Sequence, residues 1–230
     1  MTRKPTKASP PTSAQVSDSP SRRRDTSSRE MLLDTASALM SEGGSVDFSF
    51  VDISARSGLN SALVRYHFGG KEGLLLALLE RDAGGTFEAL ETLVKSDLDA
   101  ASKLRRHVEG VIKIYHRYPY MNRLIGALGS ETNSTTARFI SEHFTRPLAE
   151  AQRAILEQGI AEGVFRPIDP VLFYFSVIGA CDHLFHARSA LKHAFGIDTI
   201  TDDLRRSYAD HLTGILLGSI MISPNTVLQE

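Results

Sequence analysis

Phe50-Val51-Asp52-Ile53-Ser54-Ala55-Arg56-Ser57-Gly58-Leu59-Asn60-Ser61-Ala62-Leu63-Val64-Arg65-Tyr66-His67-Phe68 divides into two short stretches of helical period around a glycine that can take a positive φ. Ser49 is placed to cap the first helix, Val51–Ser57, and Gly58 to end it. Asn60 or Ser61 can cap the second, Ser61–Phe68, which Gly69-Gly70 stops. Ile53, Leu59 and Val64 have the spacing to close a small core between the two helices, and Ala55 is small enough to let their backbones approach. Ser61, Ala62, Arg65 and Tyr66 then point outward. This is the sequence form of a helix-turn-helix, whose second helix lies in the major groove of DNA.

Within that frame Arg65 is the candidate for base reading, because a guanidinium bonds guanine O6 and N7 as a pair. Ser49, Ser61, Tyr66 and Lys71 are candidates for phosphate contact. Lys71 stands where a further helix begins, so free amides and a positive dipole end lie beside it.

The surrounding sequence is helical too. Ser28 is a plausible cap for a first helix near Arg29–Ser41, with Leu32, Ala36 and Leu39 on one face and Gly43-Gly44 as the stop. A fourth helix starts near Lys71 and carries Leu74, Leu75, Leu78, Leu79 and Phe87, bent or weakened at Gly84-Gly85. Further periods run from about Asp99 to Tyr115, over Met121–Leu128, over Thr135–Glu162 with a kink at Pro147, to about Ala194, and from Asp202 to Ile222. No segment alternates convincingly as a strand, so the expected fold is all-α, of about nine helices. The N-terminal domain is a three-helix DNA-binding unit with a helix-turn-helix, over 29–74. A second, larger helical domain is expected over 75–230, and ligand binding and dimerisation are the roles that a family resemblance gives it.

Residues 1–28 differ in kind. Ser, Thr and Pro fill 15 of the 28 positions, and six Lys and Arg against two Asp give a net charge of +4, leaving −5 for the remainder. Such a segment has too little apolar surface to offset its ordering entropy, and is expected as a disordered basic arm. Arg22-Arg23-Arg24 could supplement a helix-turn-helix whose own charges balance: Arg56, Arg65 and Lys71 against Asp47, Asp52 and Glu72.

The single cysteine, Cys181, excludes an internal disulfide, and the apolar runs are too short to span a bilayer as helices. A cytoplasmic chain without membrane contact is expected. No triad, paired carboxylates or glycine-rich phosphate loop marks an enzyme, and no cofactor is implied. His183 and His186 share a helical face beside Asp182, but no third ligand is fixed, so no metal is expected. Gly214 and Gly218, with the apolar residues Phe173, Phe175, Val177 and Ile178 of the preceding helix, suit a subunit seam.

The run Gly58-Leu59-Asn60-Ser61-Ala62-Leu63-Val64-Arg65-Tyr66-His67-Phe68-Gly69-Gly70-Lys71-Glu72-Gly73-Leu74-Leu75 strongly resembles the TetR family of transcriptional repressors. The family closes its recognition helix with an aromatic residue, His and Phe, followed two residues later by Lys-Glu and a Leu pair. The resemblance is specific over about Arg29–Leu79; beyond that it rests on helix count, length and order. It implies that Ser61, Ala62 and Arg65 face the bases, that Tyr66 and His67 sit at the DNA backbone, and that Lys71 binds a phosphate. Leu63 departs from the polar residue common there, which leaves fewer hydrogen bonds to bases. The resemblance also implies a homodimer paired through its last two helices, a two-fold symmetric double-stranded DNA operator, and release by a small-molecule effector. The aromatic-rich body suits a hydrophobic or aromatic effector, with Met121, Phe139 and Phe173 as pocket walls and His143 and His183 as polar contacts.

Overall fold

The computed structural model, which describes residues 20–131 and 134–222, has helices wherever apolar residues recur at helical period. Its first helix, α1, runs Pro20–Gly43 and therefore includes residues 20–28, which the composition assigns to a disordered arm. Proline at a helix start loses nothing, since the first N–H groups have no partner there. Contacts that composition cannot encode, one from the extension and one from Arg29 just after it, hold this end of α1 in place. The Arg29 guanidinium lies 5.2 Å above the Phe68 ring, and Asp25 reaches to 3.7 Å from His67. Arg3, Lys4 and Lys7 of the expected arm lie outside the described residues.

The helix-turn-helix forms as its punctuation requires. α2 (Phe50–Ser57) opens with a capping box in which Ser49 accepts from the Asp52 amide and the Asp52 carboxylate accepts from the Ser49 amide. It closes at Gly58, whose φ of 70° lies in the left-handed region. α3 spans Ala62–Phe68, and Asn60 rather than Ser61 satisfies its start, accepting from the Ala62 amide at 2.8 Å. Ile53 and Val64 are fully buried with Leu32, Leu33, Ala36 and Met40 of α1. Leu59 is half-buried against them, whereas Ala55 is exposed and takes no part in the helix contact.

α4 (Lys71–Ala83) links this head to the body, and its buried Leu74, Leu75, Leu78 and Leu79 serve both. The glycine pair separates it from α5 (Thr86–Lys95), Gly85 taking a φ of 75°. α6 (Ala100–Arg117) is the axis of the body, packed against α5, α9, α10 and α12 through fully buried Leu104, Val108 and Ile112. α7 (Met121–Leu128) returns to α4.

The long period over Thr135–Glu162 resolves into α8 (Thr135–Ile140), a π-turn over Ser141–Thr145, and α9 (Arg146–Ala161). Pro147 has no N–H for the carbonyl four residues back, and its ring crowds that carbonyl, so the chain widens into a π-turn on the N-terminal side. The next period also divides, into α10 (Pro170–His186) and α11 (Arg188–Phe195). α12 (Asp202–Ile220) closes the fold. Among the described residues the only extended pairing is an isolated bridge between Phe165 and Met221.

Close contact between α3 and α4 rests on Gly73, where a Cβ would stand 1.9 Å from the Phe68 carbonyl oxygen. Gly73→Ala is expected to force the two helices apart and to cost about 1–3 kcal/mol. Urea unfolding of the variant measures this, and an unchanged midpoint would remove the contact from the account.

Candidate functional site

The outward face of α3 is built from Ala62, Arg65 and Tyr66, all exposed, Tyr66 to 71%. Ser61 is half-buried at the helix start and makes no capping bond with its side chain. Ser49 stands exposed at the edge of this face, but its hydroxyl is held in the capping box, 2.7 Å from the Asp52 carboxylate. Those bonds from Ser49, backbone first, hold the Asp52 carboxyl below its ordinary value. His67 differs from the other residues assigned to the interface. Its side chain is 5% exposed and packs edge-on between Tyr66 and Phe68, so it shapes α3 from within instead of reaching outward.

Lys71, at the first turn of α4, is engaged within the protein. Its ammonium lies 2.8 Å from Asp47 and 4.8 Å above the Phe48 ring. Arg56 forms a two-pronged pair with Glu42, both bonds 2.6 Å, which ties α2 to the end of α1. On the recognition face, Arg65 is thus the cation with no ion-pair partner among the described residues.

Behind the head lies a buried polar joint. The Asp82 carboxylate, near the end of α4, is 1% exposed and receives Arg81 Nε at 2.8 Å and the Tyr120 hydroxyl. Tyr120 precedes α7, is fully buried, and lies 2.9 Å from the Ser37 hydroxyl of α1. Burial, reinforced by the carboxylate, drives the Tyr120 phenol pKa upward and keeps it a donor. Arg81 also reaches Asp34 of α1 at 2.8 Å. Three further bonds cross from body to head: Arg123 to the Gly44 carbonyl, Arg188 to the Ser41 carbonyl, and Thr136 to Glu72.

Adjoining the joint is a cavity of about 510 Å³ between the end of α4, α5, α6, the start of α7 and the π-turn. Met121 lines it, as do Phe144 and Tyr115, together with Leu90, Val111 and Ile125. The other residues assigned to an effector lie elsewhere. Phe173 is buried in the core, and His183 is exposed on α10. His143 is exposed and stacks on Phe139 with ring centres 4.1 Å apart, beside the cavity but not in its wall. Residue type picked out these aromatics and histidines. The wall is decided instead by where α5 packs on α6, whose sequence signal is the glycine pair Gly84-Gly85 and the lone Gly110.

The buried polar group of the wall is His107, 2.9 Å from Gln152. Burial lowers its pKa to about 4, so the imidazole is neutral at ordinary pH. Cys181 is buried on α10 and burial pushes its thiol up to about 12, which leaves no thiolate for chemistry. On the outer side of the body, Leu172, Phe175 and Gly179 of α10 and Gly214, Ile215 and Gly218 of α12 are exposed. Phe175 is 67% exposed and Leu172 66%. Among the described residues no helix is long and apolar enough to cross a membrane.

An exposed recognition helix on a three-helix head, joined to a cavity-bearing helical body, has the architecture of a helix-turn-helix DNA-binding protein. Comparison with known proteins makes the class specific. Residues 32–78 match the family model for bacterial regulatory proteins of the tetR family, and residues 97–225 the one for the tetracyclin repressor-like C-terminal domain. The chain belongs to the TetR family of transcriptional regulators. It is 24% identical to the nucleoid occlusion factor SlmA of Klebsiella pneumoniae over 168 residues, 71% of this chain and 84% of SlmA. Among solved structures it resembles AibR in complex with isovaleryl coenzyme A and operator DNA, with TM-score 0.65, 21% identity, and coverage of 82% of this chain and 97% of that one. It also resembles FadR from Bacillus subtilis in complex with stearoyl-CoA, with TM-score 0.58, 17% identity, and coverage of 83% and 98%.

His107 gives the body a pH dependence of calculable sign. The folded value, about 4, lies below the ordinary 6.5, so protons bind the unfolded chain more readily between those limits. Its contribution is complete above about pH 6.5 and is lost as pH falls toward 4, a change of about 3 kcal/mol. Replacing the pair together, His107→Leu with Gln152→Leu, should flatten the fall of the urea midpoint over that range. An equal fall in both proteins would show that the acid sensitivity arises elsewhere.

Proposed function

We propose that the protein is a homodimeric repressor of the cytoplasm, which holds two α3 helices in successive major grooves of a two-fold symmetric operator and leaves it when a small molecule fills the body cavity. The exposed face of α3, where the Arg65 side chain has no ion-pair partner among the described residues, carries this reading. Arg65 reads bases, Tyr66 and Ser61 meet the backbone, and Lys71 exchanges Asp47 for a phosphate. Ser49, whose amide and hydroxyl are both engaged by Asp52, meets a phosphate only by exchanging that carboxylate, as Lys71 exchanges Asp47. His67, packed inward, supports α3 without touching DNA.

The dimer follows from apolar surface. Leu172, Phe175 and Ile215 on α10 and α12 are large apolar residues left in water, and Gly179, Gly214 and Gly218 beside them permit close helix approach. Two copies joined across that face form a four-helix bundle, which sets the separation of the heads. An operator requires roughly 34–36 Å between recognition helices, or a multiple of it.

The cavity has the position needed for release. Its wall includes Ala83, which follows Asp82, and Met121, which follows Tyr120. A ligand wedged there acts on both partners of the buried joint, and it shifts the population only so far as it binds the released arrangement better. AibR, of the same fold, is known in complex with isovaleryl coenzyme A and operator DNA, which supports the reading that one chain of this fold can take both a small molecule and DNA. A helical carrier or enzyme with a merely structural hairpin is the competing reading, and it gives Arg65 no reason to stand outward and unpaired.

Fluorescence anisotropy with DNA from upstream of the protein's own gene tests the proposal. Arg65→Ala should abolish preference for the operator over random sequence while the dimer persists; retained preference removes Arg65 as the reader. Lys71→Ala should weaken all sequences alike and reduce the salt slope of log K by about 2, one phosphate contact being lost from each protomer. Phe175→Asp should give monomers in sedimentation and at least a tenfold loss of operator affinity, and a stable dimer would exclude this face as the seam.

A further inference from the structure

Resting on the effector reading above, the chemistry of the cavity wall points to the class of ligand. Burial falls from floor to mouth: Val111, Tyr115, Met121 and Phe144 are buried, whereas Arg106, Gly110 and Lys113 are exposed. Those three lie on one face of α6, at i, i+4 and i+7, with the bare Gly110 between the two cations. The wall therefore contains two full positive charges and no carboxylate.

Neither cation has an ion-pair partner among the described residues. Arg56, Lys71 and Arg81 of the head, by contrast, are all paired with carboxylates. His107 adds a polar contact without adding charge. An apolar bore with unpaired cations at its open end is complementary to a molecule that is apolar along its length and anionic at one end.

We propose that the cavity takes an acyl chain ending in an anionic group, a fatty carboxylate or a coenzyme A thioester, with the anion at Arg106 and Lys113 and the chain running inward to Met121 and Phe144. The occupant differs in kind from a planar aromatic molecule, which has no need of two cations at one end.

Titration calorimetry on the full-length protein tests this, using hexanoic to dodecanoic acids, the matching coenzyme A thioesters, dodecanol and coenzyme A alone. Affinity should rise about fourfold per added methylene until the bore is full. Dodecanol should bind at least tenfold more weakly than the best anionic chain. Arg106→Gln with Lys113→Gln should reduce that chain to the level of the alcohol and leave the alcohol unchanged. Gly110→Leu replaces glycine with a better helix former and points into open space at the mouth, so the protein should fold and lose every chain.

Acids that bind more tightly than their thioesters place the carboxylate at the cations; tight binding of thioesters alone places the coenzyme phosphates there, and either supports the proposal. Alcohol bound as tightly as acid, affinity indifferent to length, or no binding at all overturns it. Anionic chains that bind as expected yet leave operator affinity unchanged support the site and defeat the effector reading. A neutral ligand that releases operator and is excluded by Gly110→Leu does the reverse.

Discussion

The orientation of the DNA-binding head depends on where one buried carboxylate can find its hydrogen bonds. Asp82 lies on the connecting helix with almost no exposure, and its partners come from its own helix, through Arg81, and from the start of α7, through Tyr120. A carboxylate removed from water is strongly disfavoured unless paired and bonded, and taking away one partner costs more than that bond is worth. Tyr120 in turn meets Ser37, and Arg81 meets Asp34, so α1 is drawn into the same cluster. Apolar side chains could slide past one another over a range of angles. Directed bonds to one buried group permit few arrangements of α1, α4 and α7, and so give head and body a small set of relative positions.

A second constraint governs the face turned toward DNA. The helix-turn-helix region carries balanced charge, and most of its cations are occupied: Arg56 by Glu42, Lys71 by Asp47. Long-range attraction to a polyanion is correspondingly modest. Specificity is favoured by this economy, because a cation already paired contributes to binding only where a phosphate displaces its carboxylate at the right distance. Of this set, Arg65 has no ion-pair partner among the described residues, and on the proposed reading its fork of donors is the one left for a base edge. The side chain of Leu63, half-buried, adds shape rather than hydrogen bonds.

What was legible in the sequence was local. Gly58 announced the turn, Ser49 with Asp52 the start of α2, and Gly69 the end of α3, since each residue type satisfies a requirement confined to a few neighbours. The start of α1 was not legible, because Ser, Thr and Arg residues read as a solvated arm until Arg29 finds the Phe68 ring and Asp25 approaches His67. Nor did any glycine or proline mark Ala187, where α10 gives way to α11. The cavity failed to appear for a related reason. His143, Phe139, Phe173 and His183 have suitable chemistry, but a wall is made by residues that several helices bring together, and only Met121 of the assigned set lies there. Gly84-Gly85 was read as a bend in one helix, whereas it ends α4, starts a separate α5 and itself lines the cavity beside α6.

Joint and cavity together bound how a ligand can act. Moving a two-state equilibrium from almost wholly DNA-competent to almost wholly released takes a preference of about 5.5 kcal/mol. Apolar burial supplies about 0.8 kcal/mol per methylene, so some seven methylenes must be buried in one arrangement and absent or exposed in the other. A cavity of about 510 Å³ with a mainly apolar wall has room for that, provided it closes in the state that binds DNA. Closure is natural where the wall is the end of α4 itself, because Ala83 cannot move inward without carrying Asp82 with it. On the proposed effector reading, the same few ångströms that admit or exclude a chain decide whether the carboxylate keeps its bonds to Tyr120, and through them where the head stands.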